Sequence, residues 1–403
     1  MEELPNAGGP IYGSALSDAV FHEDPGRNPH TGITIAKIEE ILIENIDALR
    51  ENRPMSISLR CRSTGRVQLA RFPSDRNAEA RRFTAILQIL HLSHEALITG
   101  TVITKRAIYY QNPELFGSQR YVDKLVDDLA FTFGLGRDAL NIVAASKGLI
   151  IGALNVKIGN GSPLHCNSDD GQGVLVPDVR AITSVSLEAV AWLLVIEKEA
   201  TFRGLANARF HETATVGRGI LVTAKGYPDL PTRRFLHMLQ TTFPRLPMYA
   251  LVDFDPDGVG IMLTYKKGSR LLQHEENVTI DQLQWIGPRS KDILRCQNRE
   301  LSTAASDSQQ YMSPQPSASP GQTENSSFLK ATLPLSARDR KLAVRLLTTM
   351  VENDQCIENL DVVRELQIML LLDTKAEIQA VDEAGDLTEW LDRALTENMT
   401  ASE

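Results

Sequence analysis

Several classes of protein are excluded by what this sequence lacks. Its four cysteines, Cys61, Cys166, Cys296 and Cys356, are scattered without a C-x-x-C pair, which argues against a disulfide framework and a thiolate zinc site. They read as ordinary reduced thiols. No apolar run approaches the roughly 18 residues of a membrane span. The opening MEELPNAGGP lacks the basic then apolar pattern of a signal peptide, so a soluble intracellular protein with no membrane partner is expected. The phosphate-cradling motif G-x-x-x-x-G-K-S/T is absent too, and with it any sign of a P-loop for ATP.

The chain is otherwise balanced. Its 42% hydrophobic and 23% charged residues exclude a wholly disordered, collagenous or coiled-coil protein. At 403 residues it exceeds what one core usually holds, so two domains are expected. The net charge of -9 hides a local patch of the opposite sign. Residues 50 to 120 carry 12 Arg and Lys against 5 Asp and Glu, a net of +7 that leaves -16 for the remainder. Arginine dominates this stretch, and its planar fork suits bidentate phosphate contact.

The hydrophobic period divides the chain. Residues 1–31, rich in Gly, Pro, Asn and Asp, read as a flexible lead. In residues 32–79, Ile35, Ile38, Leu42, Ile46 and Leu49 recur at helical spacing, as the inner face of a helix or as a face for a partner, ahead of a basic segment. A second helical pattern runs from Ala80 to Leu97. Gly100 breaks it, and Thr104 can cap a new start. A further helix, Val122 to Phe133, leads into apolar stretches at 140–144 and 149–151, read as a small hairpin. Three helices and a hairpin outline a winged helix, placed at residues 80–175. Beyond residue 185 the pattern becomes strand, loop, helix, repeated. The apolar runs 189–196, 220–223 and 248–252 indicate a parallel sheet covered on both faces, over residues 185–300. Residues 301–327, rich in Ser, Pro and Gln, read as a disordered insertion. Helices and an acidic tail fill 328–403.

The polar ends of the three apolar runs should share one sheet edge, where open parallel sheets bind ligands. Glu197 closes one run, and Asp253 and Asp255 another, in LVDFDPDG. Crowded carboxylates repel unless a cation joins them, and a few hard oxygen ligands suit magnesium, Mg2+. Asp257 adds a fourth acid, which a turn before Gly258 also explains. A second constellation is TKRAIYYQNPELF. There Arg106 precedes Tyr110 by four residues, on one helical face, and could hold a phosphate against it. A nucleophilic tyrosine needs nearby positive charge or metal to favour the phenoxide. The alternative is a pair of core tyrosines. Lys105, Arg81, Arg82 and Lys147 are the expected phosphate contacts if the winged helix lays a helix in a DNA groove.

Five segments in register, KRAIYYQNPELFG, SKGLIIG, VIEKEATF, AKGYPDLPTRRFL and LVDFDPDGVGI, together with KAEIQA at 375–380, resemble the family of the A subunit of topoisomerase VI, which includes the meiotic break-forming transesterase Spo-eleven. The resemblance covers roughly residues 80 to 295 plus that last segment. It implies an α/β protein with an N-terminal winged-helix (CAP-like) DNA-binding domain followed by a Toprim domain. It implies Tyr110 as nucleophile, Arg106 at the phosphate, and Glu197, Asp253 and Asp255 as magnesium ligands. It further implies a nuclear homodimer acting on double-stranded DNA at meiosis, with meiotic accessory proteins and a topoisomerase VI B-like, ATPase-type subunit. Ala107 and Asp257 depart from the pattern, in which an acid and a histidine are usual. The alternatives are a topoisomerase VI component in ATP-dependent strand passage, a Toprim nuclease with a structural Tyr110, and a noncatalytic DNA-binding scaffold.

Overall fold

The computed structural model describes residues 19–20, 30–143, 146–159, 161–167, 171–268, 277–294, 332–353, 358–382 and 387–400. Most of the expected N-terminal lead and all of the expected 301–327 insertion lie outside the described residues. Among the described residues no helix is long and apolar enough to cross a membrane.

A two-residue strand β1 (Ala19–Val20) precedes a helical unit. The unit comprises α1 (Thr31–Arg50), strands β2 (Met55–Arg60) and β3 (Val67–Phe72), α2 (Asn77–Thr99), β4 (Ile103–Thr104), α3 (Lys105–Gln111), α4 (Pro113–Phe116), α5 (Gln119–Phe133) and β5 (Ile142–Val143). Its core gathers Ile38, Leu59, Phe83, Ile86, Leu90 and Val126. The breaks are local. Gly100 ends α2 with φ +68°, a left-handed conformation that costs glycine little. The Thr104 hydroxyl then accepts the Ala107 N–H at 3.1 Å and starts α3. In α1 only part of the expected face is inward. Ile38 is buried, whereas Ile46 and Leu49 are exposed. Buried Asn45 donates to the Ile41 carbonyl at 2.7 Å and accepts the Ser56 N–H at 3.0 Å, joining α1 to β2.

The hairpin expected from residues 140–144 and 149–151 does not form. β5 instead pairs in parallel with β4, and β6 (Leu149–Gly152) joins the large sheet antiparallel to β12 (Arg218–Thr223). The two runs were too short for periodicity to identify their partners.

The sheet unit continues with β7 (Leu154–Ile158), β8 (Leu164–His165), β9 (Val174–Leu175), β10 (Ile182–Leu187), β11 (Val190–Ile196), β13 (Met248–Leu251) and β14 (Gln284–Gly287). Strands β1, β10, β7 and β8 form one antiparallel sheet; the other is ordered β14-β13-β11-β12-β6-β9. Within it β14, β13, β11 and β12 are parallel. Both faces are buried, as unbroken apolar strands require. Leu193 and Val195 pack with α8 (Leu230–Thr242) and α9 (Pro256–Lys267). Trp192, Leu194 and Ile196 face α6 (Glu199–Asn207) and α7 (Phe210–Thr213). The chain returns in β15 (Thr332–Leu333), α10 (Ala337–Glu352), α11 (Leu360–Leu372), β16 (Lys375–Ala376), α12 (Gln379–Asp382) and α13 (Leu387–Thr400). β16 pairs with β15 and bridges to Phe254, so this return strand lies against the Asp253–Asp255 turn.

Trp192 lies beside Gly219 on the neighbouring strand, and its Nε1 donates to the Gly217 carbonyl at 2.9 Å. A Cβ on Gly219 would overlap the indole ring at Trp192 Cε2. The Gly219→Ala variant is therefore expected to lose about 1–3 kcal/mol by overpacking. The measurement is the urea midpoint followed by tryptophan fluorescence; an unshifted midpoint refutes the contact.

Candidate functional site

The carboxyl ends of β11 and β13 lie level because the strands pair Ile196 with Leu251. The Glu197 N–H donates to the Leu251 carbonyl at 3.0 Å, and the Gly226 N–H donates to the Glu197 carbonyl at 2.9 Å. The three expected strand ends thus meet at one edge. Glu197 Oε2 accepts the Asp253 N–H at 2.9 Å. Buried Asp253 accepts the Ile378 N–H on Oδ1 at 2.9 Å. Asp255 caps α9, taking the Gly258 N–H on Oδ1 at 2.6 Å. That close turn needs glycine, since a Cβ on Gly258 would collide with the Asp253 carbonyl oxygen.

Burial and mutual repulsion set the electrostatics. Burial first, and the Asp253 charge second, push the Glu197 carboxyl up to about 7. Asp253 and Asp255 are also raised, mainly by burial. Counter-charge comes from a residue the motif reading had not singled out. Lys198 Nζ lies 2.9 Å from Asp253 Oδ2, 2.8 Å from Glu377 Oε2 and 3.2 Å from Gln379 Oε1. Its signal was its place beside Glu197 in VIEKEATF, with Glu377 and Gln379 in KAEIQA. Asp257 is drawn aside into a two-pronged pair with Arg338 at 2.8 and 3.1 Å.

The second constellation lies in the helical unit. The two tyrosines of α3 part company: Tyr109 packs against the core and Tyr110 is 66% exposed. Their rings are 5.3 Å apart and tilted. Arg106 is exposed on the same short helix. Lys105 is a correction. It is buried, with Nζ 2.8 Å from Asp127 Oδ1, so its ammonium braces α3 against α5 and does not face solvent. The cap at Thr104 fixes the first turn of α3 so that its leading side chain points inward.

Arg81 donates to the Leu115 and Glu114 carbonyls at 2.6 and 2.7 Å, holding the end of α4, and Arg82 donates to Gln68 Oε1 at 2.5 Å. Both therefore spend donors inside the fold. Lys147 is exposed at the acid edge of the sheet, with Nζ donating to the Tyr227 carbonyl at 2.9 Å. The tyrosine stands on α3 of the helical unit, whose core is separate from those of the sheet unit, and the described structure brings together Glu197, Asp253 and Asp255 as neighbours along one sheet edge.

Residues 192–331 match the Toprim domain of the family described as the topoisomerase 6 A subunit and Spo11, and residues 81–142 match Type IIB DNA topoisomerase. The chain is 32% identical over 326 residues to Meiotic recombination protein rec12 of Schizosaccharomyces pombe, covering 81% of this chain and 80% of that one. The chain belongs to the family of Spo11 and the topoisomerase 6 A subunit. It is also 30% identical to Meiotic recombination protein SPO11 of Homo sapiens, over 67% of this chain and 73% of the human one. The A3 subunit of DNA topoisomerase 6 of Oryza sativa subsp. indica is 31% identical, over 76% of this chain and 61% of the plant protein. By family the chain is a topoisomerase-like, DNA-cleaving enzyme.

A Toprim domain implies magnesium, and the donor chemistry at the sheet edge fits a hard divalent cation: three carboxylates raised by burial and repulsion lack sufficient positive charge. Among the described residues, however, no group of three or more His, Cys, Asp or Glu residues is arranged to hold a metal ion as it stands. The Lys198 ammonium is seated against Asp253, and Lys375 acts on Asp255 from farther away.

Replacing Lys105 by Met should cost about 3 kcal/mol, the low end for breaking a buried ion pair, because Asp127 loses the 2.8 Å ammonium while its 2.9 Å pair with Arg62 remains. Chemical denaturation reads this directly. A wild-type midpoint combined with weakened DNA binding would restore Lys105 to the DNA surface.

Proposed function

We propose that this protein is a magnesium-dependent DNA transesterase that makes meiotic double-strand breaks through a phosphotyrosyl link to the 5' end. The observation that carries this reading is the exposed hydroxyl of Tyr110, on a helix whose other tyrosine is packed away, in a chain of this family. In the proposed step the Tyr110 oxygen gives up its proton and attacks the phosphorus in line. The bond from phosphorus to the deoxyribose 3' oxygen breaks, and that oxygen takes up a proton. Arg106, on the same face of α3, orients the phosphate. Glu197, Asp253 and Asp255 would hold the magnesium ion, which when bound supplies positive charge against the phosphate. One P–O ester replaces another, so little bond energy is lost.

The helical unit serves as the winged-helix DNA-binding domain. Support comes from its α2, β4, α3, α5, β5 order and from the net positive charge of residues 50–120. Exposed Arg106 and Lys147, with the outward surfaces around Arg81 and Arg82, give phosphate contacts that position DNA without reading its sequence. The protein acts in the nucleus, on double-stranded DNA, as a homodimer with meiotic accessory proteins and a B-like, ATPase-type subunit. In that dimer, as the family resemblance implies, each tyrosine meets the acids of its partner.

Two experiments test the reading. Tyr110→Phe removes one oxygen from an exposed ring and should abolish covalent protein–DNA complexes while changing noncovalent affinity by less than about twofold. Normal yield of covalent complex from that variant refutes the nucleophile. Mixed dimers test the shared site, pairing one chain carrying Tyr110→Phe with another carrying Glu197→Gln. If sites form in trans, one centre carries both defects and the other is intact, so a covalent nick in one strand is expected. Absence of any nick, where wild-type dimers cut, rejects sharing.

A further inference from the structure

Lys198 occupies the N-cap position of α6 without a side-chain capping bond, so helix formation does not claim its ammonium. All three donors of that ammonium are aimed at oxygens: Asp253 Oδ2, Glu377 Oε2 and Gln379 Oε1. Asp253 in turn has both oxygens committed, Oδ1 to the Ile378 N–H and Oδ2 to Lys198. Lys225 is paired with Glu199 at 3.1 Å, and Lys375, paired with Asp339 at 2.7 Å, acts on Asp255 rather than on Asp253. A divalent cation approaching Asp253 therefore meets an ammonium already seated 2.9 Å from the oxygen it would use.

We propose that Lys198 is the internal counter-ion of the acid cluster, a positioning residue that competes with the divalent cation for Asp253 and retreats onto Glu377 when the cation arrives. The inference rests on the metal reading above and adds a switch to it. The geometry allows the retreat. The Lys198 side chain is partly solvated, and that of Glu377 is 61% exposed, so the outer half of the pair can move without opening the core. Glu377 is one residue before Ile378, whose N–H stays on Asp253 Oδ1, so the return strand keeps its hold on the turn while Oδ2 is released. Attraction between ammonium and carboxylate persists across a few ångströms at this partly solvated edge, which keeps Lys198 near Glu377.

The two residues are thereby assigned opposite effects. Removing the Lys198 charge removes the competitor; removing the Glu377 charge leaves the ammonium more dependent on Asp253 and strengthens the competitor. The experiment is calorimetric titration of the purified full chain with magnesium chloride, for wild type, Lys198→Met, Lys198→Arg, Glu377→Gln and the double variant, with folding checked by circular dichroism. Lys198→Met should bind magnesium about tenfold more tightly and Glu377→Gln about threefold more weakly. Lys198→Arg should remain near wild type. Glu377→Gln should have no further effect when added to Lys198→Met, because the two act through one ammonium. A strut that merely ties the return strand to β11 would move both single variants in the same direction. Binding in wild type that is unchanged or weakened in Lys198→Met, or same-direction shifts, overturns the counter-ion role alone. No magnesium heat in any of the proteins overturns the metal reading and this proposal together.

Discussion

Repulsion among Glu197, Asp253 and Asp255 is the constraint around which the sheet unit is arranged. Parallel strands that end level bring acids from distant parts of the chain to one edge, and burial denies them the water that would screen them. Each acid is then partly compensated by its own hydrogen bond. Backbone N–H groups of Asp253, Gly258 and Ile378 point at carboxylate oxygens, and Lys198 supplies a full positive charge. The segment that follows the return strand β16 is part of this answer, because Glu377, Ile378 and Gln379 all come from it. The antiparallel bridge of β16, with the Phe254 N–H and Ala376 carbonyl 2.9 Å apart, pins the turn that carries both aspartates.

The helical unit solves a different problem, which is to hold an aromatic side chain outward on a short helix. Seven residues of α3 have little stability of their own. The Thr104 cap, the buried Lys105–Asp127 pair and the inward packing of Ile108 and Tyr109 fix it, and Tyr110 is left facing water with Arg106 on the same helix. Arg81 reaches across to the carbonyls at the end of α4, so the next turn of chain is held as well. Positive charge in this region thus has two employments. Some of it builds the unit, and the rest remains on its surface.

Much of this was legible in the order of residues. The break at Gly100, the cap at Thr104, the stop after Phe133, and the three apolar runs ending in polar residues each reflect a local requirement: a left-handed turn, an orphan N–H, or a strand covered on both faces. The grouping of Glu197 with Asp253 and Asp255 followed from strand ends alone. Local physics could also narrow Tyr109 and Tyr110 to a pair with different faces, and family likeness chose between them.

Other features were decided only when the chain folded. Periodicity could not tell that residues 149–152 leave the helical unit for the large sheet, because a four-residue apolar run satisfies either partner. The inward turn of Lys105 depended on a carboxylate 22 residues away at Asp127. Lys198 gained its role from Asp253, on the neighbouring strand end, and from Glu377 and Gln379, 179 and 181 positions on. Backbone propensity and period act over a few residues, so sequence by itself determined the elements and the strand-end acids. A charge is stabilised by whatever lies within a few ångströms, so its partners, and hence what Lys105 and Lys198 do, were settled by the tertiary structure.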